Sequence, residues 1–210
     1  MAHSSRQHAR AAGILYLVTH VTSVTAVAAY TSGAVIAGVT LEFALAIGCA
    51  GTGVLLWILL REFGPARAAT FGMLRAVEAA VILAGTLPLL ASTRPGLSDG
   101  STAATGLHDA AFLVGQGLVI SVNTIVLGWL LIDAGVVPRA LAVLGPVGGT
   151  LVLAGNLAQL WGAIPQGGAI AALAAIPVFA FEIWLAVYLI AVGFRRRESE
   201  TPARPIGVGA

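Results

Sequence analysis

The chain contains no lysine, one cysteine and few charged residues of any kind. Only 10% of its 210 residues are charged, whereas an ordinary soluble domain carries about 25%. The lone Cys49 excludes an internal disulfide framework and any paired-cysteine zinc or redox motif. The arginines form no basic face with interleaved aromatic residues, so we predict no nucleic-acid partner.

Apolar side chains are what the chain has in excess, at 58% of residues with a mean hydropathy of +0.95. A soluble protein of this size cannot bury so much apolar surface, because a large share of a small domain lies at its surface. We therefore predict that the lipid bilayer is its solvent and its main partner.

Six stretches are long and apolar enough to cross a membrane, which takes about 20 residues of helix. They are Ala11–Tyr30, Ala34–Leu60, Ala68–Ala91, Ala104–Ala134, Ala140–Ala163 and Ala169–Phe194. Glycine and proline clusters separate them. The first stretch is long, threonine-rich and without a clear cleavage site, so we do not interpret it as a signal peptide. The predicted fold class is an all-α polytopic membrane bundle with six transmembrane helices.

Arginines set the predicted orientation of this bundle. With six spans, one side of the membrane holds Arg6, Arg10, Arg61, Arg67, Arg139, Arg195, Arg196, Arg197 and Arg204. The other side holds only Arg94. The positive-inside rule then places both termini in the cytoplasm. We expect a cytoplasmic segment at residues 1–10, the membrane domain at 11–194, and a basic then disordered cytoplasmic tail at 195–210.

Polar residues inside the predicted spans are the candidates for function, because an ionisable group at the bilayer centre costs about 2.5–3.5 kcal/mol. They are His20, Glu42, Arg75, Glu78, His108, Asp109, Gln116, Asn123, Asn156, Gln159 and Glu182. Most fall at the midplane or in the outer half, and the inner half is apolar apart from Arg75. We therefore predict a polar, acidic cavity that opens outward and is closed toward the cytoplasm.

Helical spacing indicates that these residues converge. At 100° per residue, His108, Asp109, Gln116 and Asn123 share one face of the fourth span. Arg75 and Glu78 share a face of the third span. The spacing predicts one common polar site.

Charge balance separates the roles of the acids. Four carboxylates, with Asp109 and Glu42 among them, face a single arginine, and ionising all of them in a low-dielectric site is very costly. Some carboxyls must be protonated, or a histidine charged, or a cation bound. We expect Glu182, among apolar neighbours, to be a neutral proton donor, and Glu78, near Arg75, to be ionised. The candidate catalytic residues are Glu182, Glu78 and Asp109.

Four segments resemble a bacterial family of polytopic membrane proteins catalogued as domain of unknown function 4386. They are Arg10–Leu17, the R-x-x-E-A motif at Arg75–Ala79, the P-R-x-L turn at Pro138–Leu141, and Glu182–Leu189. The resemblance implies six spans in a bacterial cytoplasmic (inner) membrane and a shared role for Arg75, Glu78 and Glu182. It implies no activity.

No motif fixes the chemistry. The chain lacks HExxH, Ser-x-x-Lys, G-x-S-x-G and P-loop patterns, so we predict no metal site and assign no cofactor. An apolar chamber with a few acids favours an intramembrane enzyme that uses acid–base chemistry on an isoprenoid or lipid-like substrate. Two alternatives stay open. One is an accessory or scaffold protein, and the other is a small proton-coupled permease. Six spans are few for a permease, an objection that a homodimer would relieve.

Overall fold

The structure, a computed structural model, describes residues 2–95 and 101–194, and this part of the chain is entirely helical. Its helices are α1 (Ala2–Thr31), α2 (Val35–Leu60), α3 (Pro65–Ser92), α4 (Ser101–Phe112), α5 (Ile120–Ala134), α6 (Arg139–Leu160) and α7 (Ala169–Ala191). A π-helical segment, Leu113–Val119, joins α4 directly to α5. Together these three form one long rod.

When α4, the π-helical segment and α5 are counted as one continuous helix, the described residues contain six helices that are long and apolar enough to cross a membrane. This confirms the predicted six spans. The predicted boundaries hold to within a few residues, except at the beginning of the chain. There, α1 starts at Ala2, so the described part of the predicted cytoplasmic segment continues the first helix. At the other end α7 stops at Ala191, and Gly193 has a positive φ of 77°. The predicted tail at 195–210 lies outside the described residues.

The first and last helices meet at one end of the bundle. The Arg10 side chain donates from Nε to the carbonyl oxygen of Ile190 at 3.3 Å. We call this end of the bundle the terminal face and the opposite end the distal face. Which side of the membrane each face meets stays a prediction, and four of the arginines behind it, Arg195, Arg196, Arg197 and Arg204, lie outside the described residues.

The hydrophobic core is concentrated in the half of the bundle near the terminal face. There Phe71, Leu130, Phe181 and Leu189, each at most 1% exposed, pack with other buried side chains from α1, α2, α3, α5, α6 and α7. The outer surface of the bundle is also apolar, as Met73 (70% exposed) illustrates. Apolar side chains on both the inside and the outside are what a bilayer solvent requires.

The fourth span departs from the regular helix that its hydropathy predicts. In the π-helical segment the hydrogen bonds span five residues instead of four, which widens the turn and rotates everything that follows. Gly115 and Gly117 lie within this segment. As a result, residues before and after it do not share the face that a uniform 100° rotation assigns to them.

Candidate functional site

A closed group of buried polar side chains surrounds the ion pair between Arg75 and Glu78. We call this group, which also contains Thr52 and Asn123, the Arg75 cluster. Arg75 donates from Nη1 to Glu78 Oε2 at 2.9 Å. Its Nε and Nη2 atoms both donate to Thr52 Oγ1, at 3.1 and 3.0 Å. Asn123 Nδ2 donates to the same Glu78 oxygen at 2.8 Å. The guanidinium and the carboxylate are therefore satisfied by side chains of α2, α3 and α5.

Local sequence explains why these helices approach so closely. The i,i+3 spacing of Arg75 and Glu78 makes their pairing possible within one helix. Gly53 on α2 leaves room for the arginine, because a Cβ atom there would lie 2.8 Å from Arg75 Cβ. The Tyr16 ring lies 5.2 Å from the guanidinium carbon, and Cys49 Sγ lies 3.7 Å from Glu78 Oε1. Since each member of the cluster is at most 2% exposed, it is closed to any ligand.

A second pair joins α1 to α7. His20 Nε2 lies 3.4 Å from Glu182 Oε2, and the imidazole packs edge-on against Phe179. His20 Nδ1 lies 2.9 Å from the Tyr16 carbonyl oxygen, which can only accept, so Nδ1 carries a proton. The contact between Nε2 and Glu182 is an ion pair when the imidazole is protonated. Glu182 thus pairs with His20, and the hydrogen bonds of the Arg75 guanidinium go to Glu78 and Thr52 instead.

A third group lies toward the distal face and connects α1, α2 and α4. His108 Nε2 is 3.1 Å from both carboxylate oxygens of Glu42. Tyr30 donates its hydroxyl to Glu42 Oε2 at 2.9 Å, and its ring packs against the imidazole. The other imidazole nitrogen, Nδ1, lies 3.8 Å from Asp109 Oδ1. Glu42 is 4% exposed, whereas the Asp109 side chain is 57% exposed.

A cavity of about 660 Å³ lies in the distal half between α1, α4, α6 and α7. Its apolar wall combines four alanines of α7 with larger side chains from other helices: Ala171, Ala172, Ala174, Ala175, Val27, Val35, Leu89, Phe112, Leu113 and Val152. Its polar lining includes Tyr30, Thr31, Thr105, His108, Asp109, Gln116, Asn156, Gln159 and Gln166. Among the described residues that line it, Asp109 is the one carboxylate and none is an arginine.

Amide side chains organise this lining. Ser23 donates to Gln116 Oε1 at 3.1 Å, which ties the π-helical segment to α1. Gln159 donates to Asn156 Oδ1 at 3.0 Å and accepts from the backbone of Gly167 at 3.1 Å. Gln166 donates to the Asp109 carbonyl oxygen at 2.6 Å. These bonds tie the π-helical segment to α1, and they tie the connection that follows α6 to both α6 and α4.

The residues that we predicted to form one common polar site lie in three groups. His108, Asp109 and Gln116 do line one cavity, together with Asn156 and Gln159 from α6. Asn123 does not join them, because it follows the π-helical segment and bonds to Glu78. Of the predicted acids, Glu78, Glu182 and Glu42 are absent from the residues that line the cavity.

Two polar neighbours of these groups, Thr52 and Tyr30, were not among the residues predicted from the sequence. Threonine, serine and tyrosine cost little in a membrane helix, so their presence alone gives no signal. The distance of each residue from the nearest turn does give a signal, because short connections force consecutive helices to run antiparallel. Tyr30 and Glu42 lie on opposite sides of the turn between α1 and α2 at similar depth, as do Thr52 and Arg75 around the next turn.

Within residues 2–95 and 101–194, no three His, Cys, Asp or Glu side chains are grouped so that they could hold a metal ion.

Comparison with known proteins identifies the family. The model described as "Domain of unknown function (DUF4386)" matches residues 11–193, so the chain belongs to this family. Searches of curated proteins and of solved structures find no match to this chain.

Proposed function

We propose that this member of the DUF4386 family binds a lipophilic small molecule in its distal cavity and performs acid–base chemistry on it. In this proposal His108, supported by Glu42, is the group that gives or takes the proton. The arginine distribution supports an orientation in which the distal face lies outside the cell and the cavity opens outward.

The shape and lining of the cavity support ligand binding. Its volume of about 660 Å³ lies within the range of small-molecule sites, roughly 300–1,000 Å³. Alanines, with Phe112 and Leu113, give an apolar wall, and a few polar groups are set into it. Such a lining suits a molecule that partitions into the bilayer and carries a small polar group.

The position of His108 is the observation that carries the acid–base part of the proposal. It is an ionisable residue in the cavity wall, and Glu42 holds its Nε2 from behind at 3.1 Å. A carboxylate in this position orients the imidazole and stabilises its protonated form. Nδ1, which lies 3.8 Å from Asp109, is then the atom that exchanges a proton with a bound molecule.

The other predicted catalytic acids take different roles in this proposal. Glu78 balances the charge of Arg75 inside the closed cluster. Asp109 lies at the cavity mouth, where it influences which molecules enter. Glu182 pairs with His20, and because neither residue lines the cavity, Glu182 has no direct contact with a molecule bound there.

The test begins with protein purified in a mild detergent and extracted with organic solvent for mass spectrometry. We expect wild type to retain a lipophilic molecule that Ala175→Trp, which fills the cavity, does not retain. Val187→Trp, a matched change on the exposed surface of the same helix, should retain it. After incubation in D₂O, the molecule should gain deuterium at carbon in wild type and not in His108→Gln.

Two results would contradict the proposal. Equal retention by Ala175→Trp and wild type would show that the molecule binds elsewhere. Unchanged deuterium gain in His108→Gln would remove His108 as the proton-transfer group. An empty cavity in every sample would favour the scaffold alternative, which the closed Arg75 cluster supports, since such a cluster fixes the register of three helices without any ligand.

A further inference from the structure

We infer that the cavity takes an uncharged lipophile whose hydroxyl or carbonyl oxygen bonds to Gln116, and that it rejects lipids with phosphate or carboxylate head groups. This inference rests on the proposed function and names the chemical class of the ligand.

The charges around the cavity argue against an anion. The lining residues include Asp109 and no arginine, and the chain has no lysine at all. The nearest deep cation, Arg75, is enclosed between Glu78 and Thr52. His108 is paired with the Glu42 carboxylate, so even a protonated imidazole has its charge balanced within the protein. A phosphate buried here would therefore lack an uncompensated positive partner, and an unpaired buried charge is strongly disfavoured.

Gln116 is the lining amide with a free donor. Its Oε1 accepts from Ser23, and its Nε2 donates to none of the described residues. Each of the other lining amides already donates at least one hydrogen bond: Asn156 to Val152, Gln159 to Asn156, and Gln166 to Asp109. The Nε2 atom of Gln116 therefore lacks an acceptor, which an oxygen atom of the ligand can provide.

The π-helical segment is an independent reason to place the ligand at Gln116. Such segments are rare and are found frequently at functional sites, because they turn a side chain away from the ordinary helical position. Gln116 lies at the middle of Leu113–Val119 and lines the cavity. Gly117 beside it leaves space for the Asn156 amide, since a Cβ there would lie 2.8 Å from Asn156 Oδ1.

The experiment compares two probes with the same isoprenoid tail, farnesol and farnesyl phosphate. Binding to the full chain in phosphatidylcholine nanodiscs is measured by native mass spectrometry. We expect farnesol to bind at least about tenfold more tightly, since this corresponds to only about 1.4 kcal/mol of charge penalty. Gln116→Leu should weaken farnesol binding by about fivefold, as loss of one hydrogen bond predicts. Gln7→Leu, the same change at an exposed position of α1, is the matched control.

A second variant keeps the inference testable if Gln116→Leu does not fold. Asp109→Asn removes the carboxylate from the lining and should narrow the difference between the two probes. Equal or tighter binding of farnesyl phosphate by wild type would overturn the inference while leaving ligand binding intact. Failure of folded wild type to bind either probe would contradict the proposed function and this inference with it.

Discussion

The two halves of the bundle handle buried polar groups in opposite ways. In the centre, Arg75, Glu78, Thr52 and Asn123 satisfy one another, and the apolar core fills the space toward the terminal face. In the distal half, the side chains around His108 and Gln116 line a cavity of about 660 Å³. Polar side chains are thus enclosed in one half and accessible in the other.

This difference separates structural polarity from functional polarity. A charge inside a bilayer is tolerated when the protein supplies its partners, and then its main effect is to fix which helices meet. A polar group that faces an open cavity can keep part of its hydrogen-bonding capacity available to a ligand. It is therefore the better place to look for a ligand, and variants in the two halves should behave differently.

The largest expected effect is on stability, in the Arg75 cluster. Arg75→Leu leaves Glu78 buried without its counter-charge and should destabilise the protein by about 3–5 kcal/mol. Thermal unfolding in detergent measures this. Arg67→Leu is the control, since it removes an exposed ion pair with Asp133 and should cost less than about 1 kcal/mol. Equal melting temperatures for Arg75→Leu and wild type would contradict a closed structural cluster.

The second prediction identifies the partner of Arg75. Because Glu78 accepts from the guanidinium at 2.9 Å, Arg75→Leu combined with Glu78→Leu removes both charges together. We expect the double variant to be more stable than Arg75→Leu alone by at least about 1 kcal/mol. The combination of Arg75→Leu with Glu182→Leu should show no such recovery. A recovery with Glu182 and none with Glu78 would reverse the assignment.

Hydropathy and arginine spacing predicted the architecture because both report on the bilayer rather than on neighbouring helices. The six spans follow from the length of apolar sequence that a helix needs to cross the bilayer. The Arg75–Glu78 contact follows from helical spacing alone. Contacts between helices, such as His20 with Glu182 and Glu42 with His108, depend on how each helix is rotated about its axis.

The π-helical segment is the other feature that could not be predicted. Its wide turn is stabilised by packing around Gly115 and Gly117, and those glycines are equally consistent with an ordinary membrane helix. A uniform rotation of 100° per residue along the fourth span puts Asn123 on the same face as Gln116, whereas in the structure Asn123 belongs to the Arg75 cluster.

A third prediction tests the packing of the cavity floor. Gly117→Ala places a methyl group against Asn156, which must move away from its bonds to Val152 and Gln159. We expect a loss of about 1–3 kcal/mol in unfolding free energy. Gly106→Ala, at a helical position with no neighbour within 4 Å, should instead stabilise by up to about 1 kcal/mol. Similar effects at both positions would contradict the close contact.

The fourth prediction compares the two histidine–carboxylate pairs and concerns activity more than stability. His108→Gln should abolish deuterium gain in the bound molecule, because His108 lines the cavity. Glu182→Gln should leave it largely unchanged, since Glu182 contacts His20 and neither residue lines the cavity. Both variants should unfold within about 1–2 kcal/mol of wild type. Complete loss in Glu182→Gln with no effect in His108→Gln would make Glu182 the functional acid.

The most direct test of an open distal cavity and a closed centre is thiol labelling in intact cells. In a Cys49→Ala background, single cysteines replace Phe112 in the cavity wall and Thr124, which is 1% exposed beside the Arg75 cluster. A membrane-impermeant thiol reagent added outside should label Phe112→Cys and leave Thr124→Cys unlabelled. Labelling of Thr124→Cys, or labelling of Phe112→Cys only from the cytoplasmic side, would contradict the account.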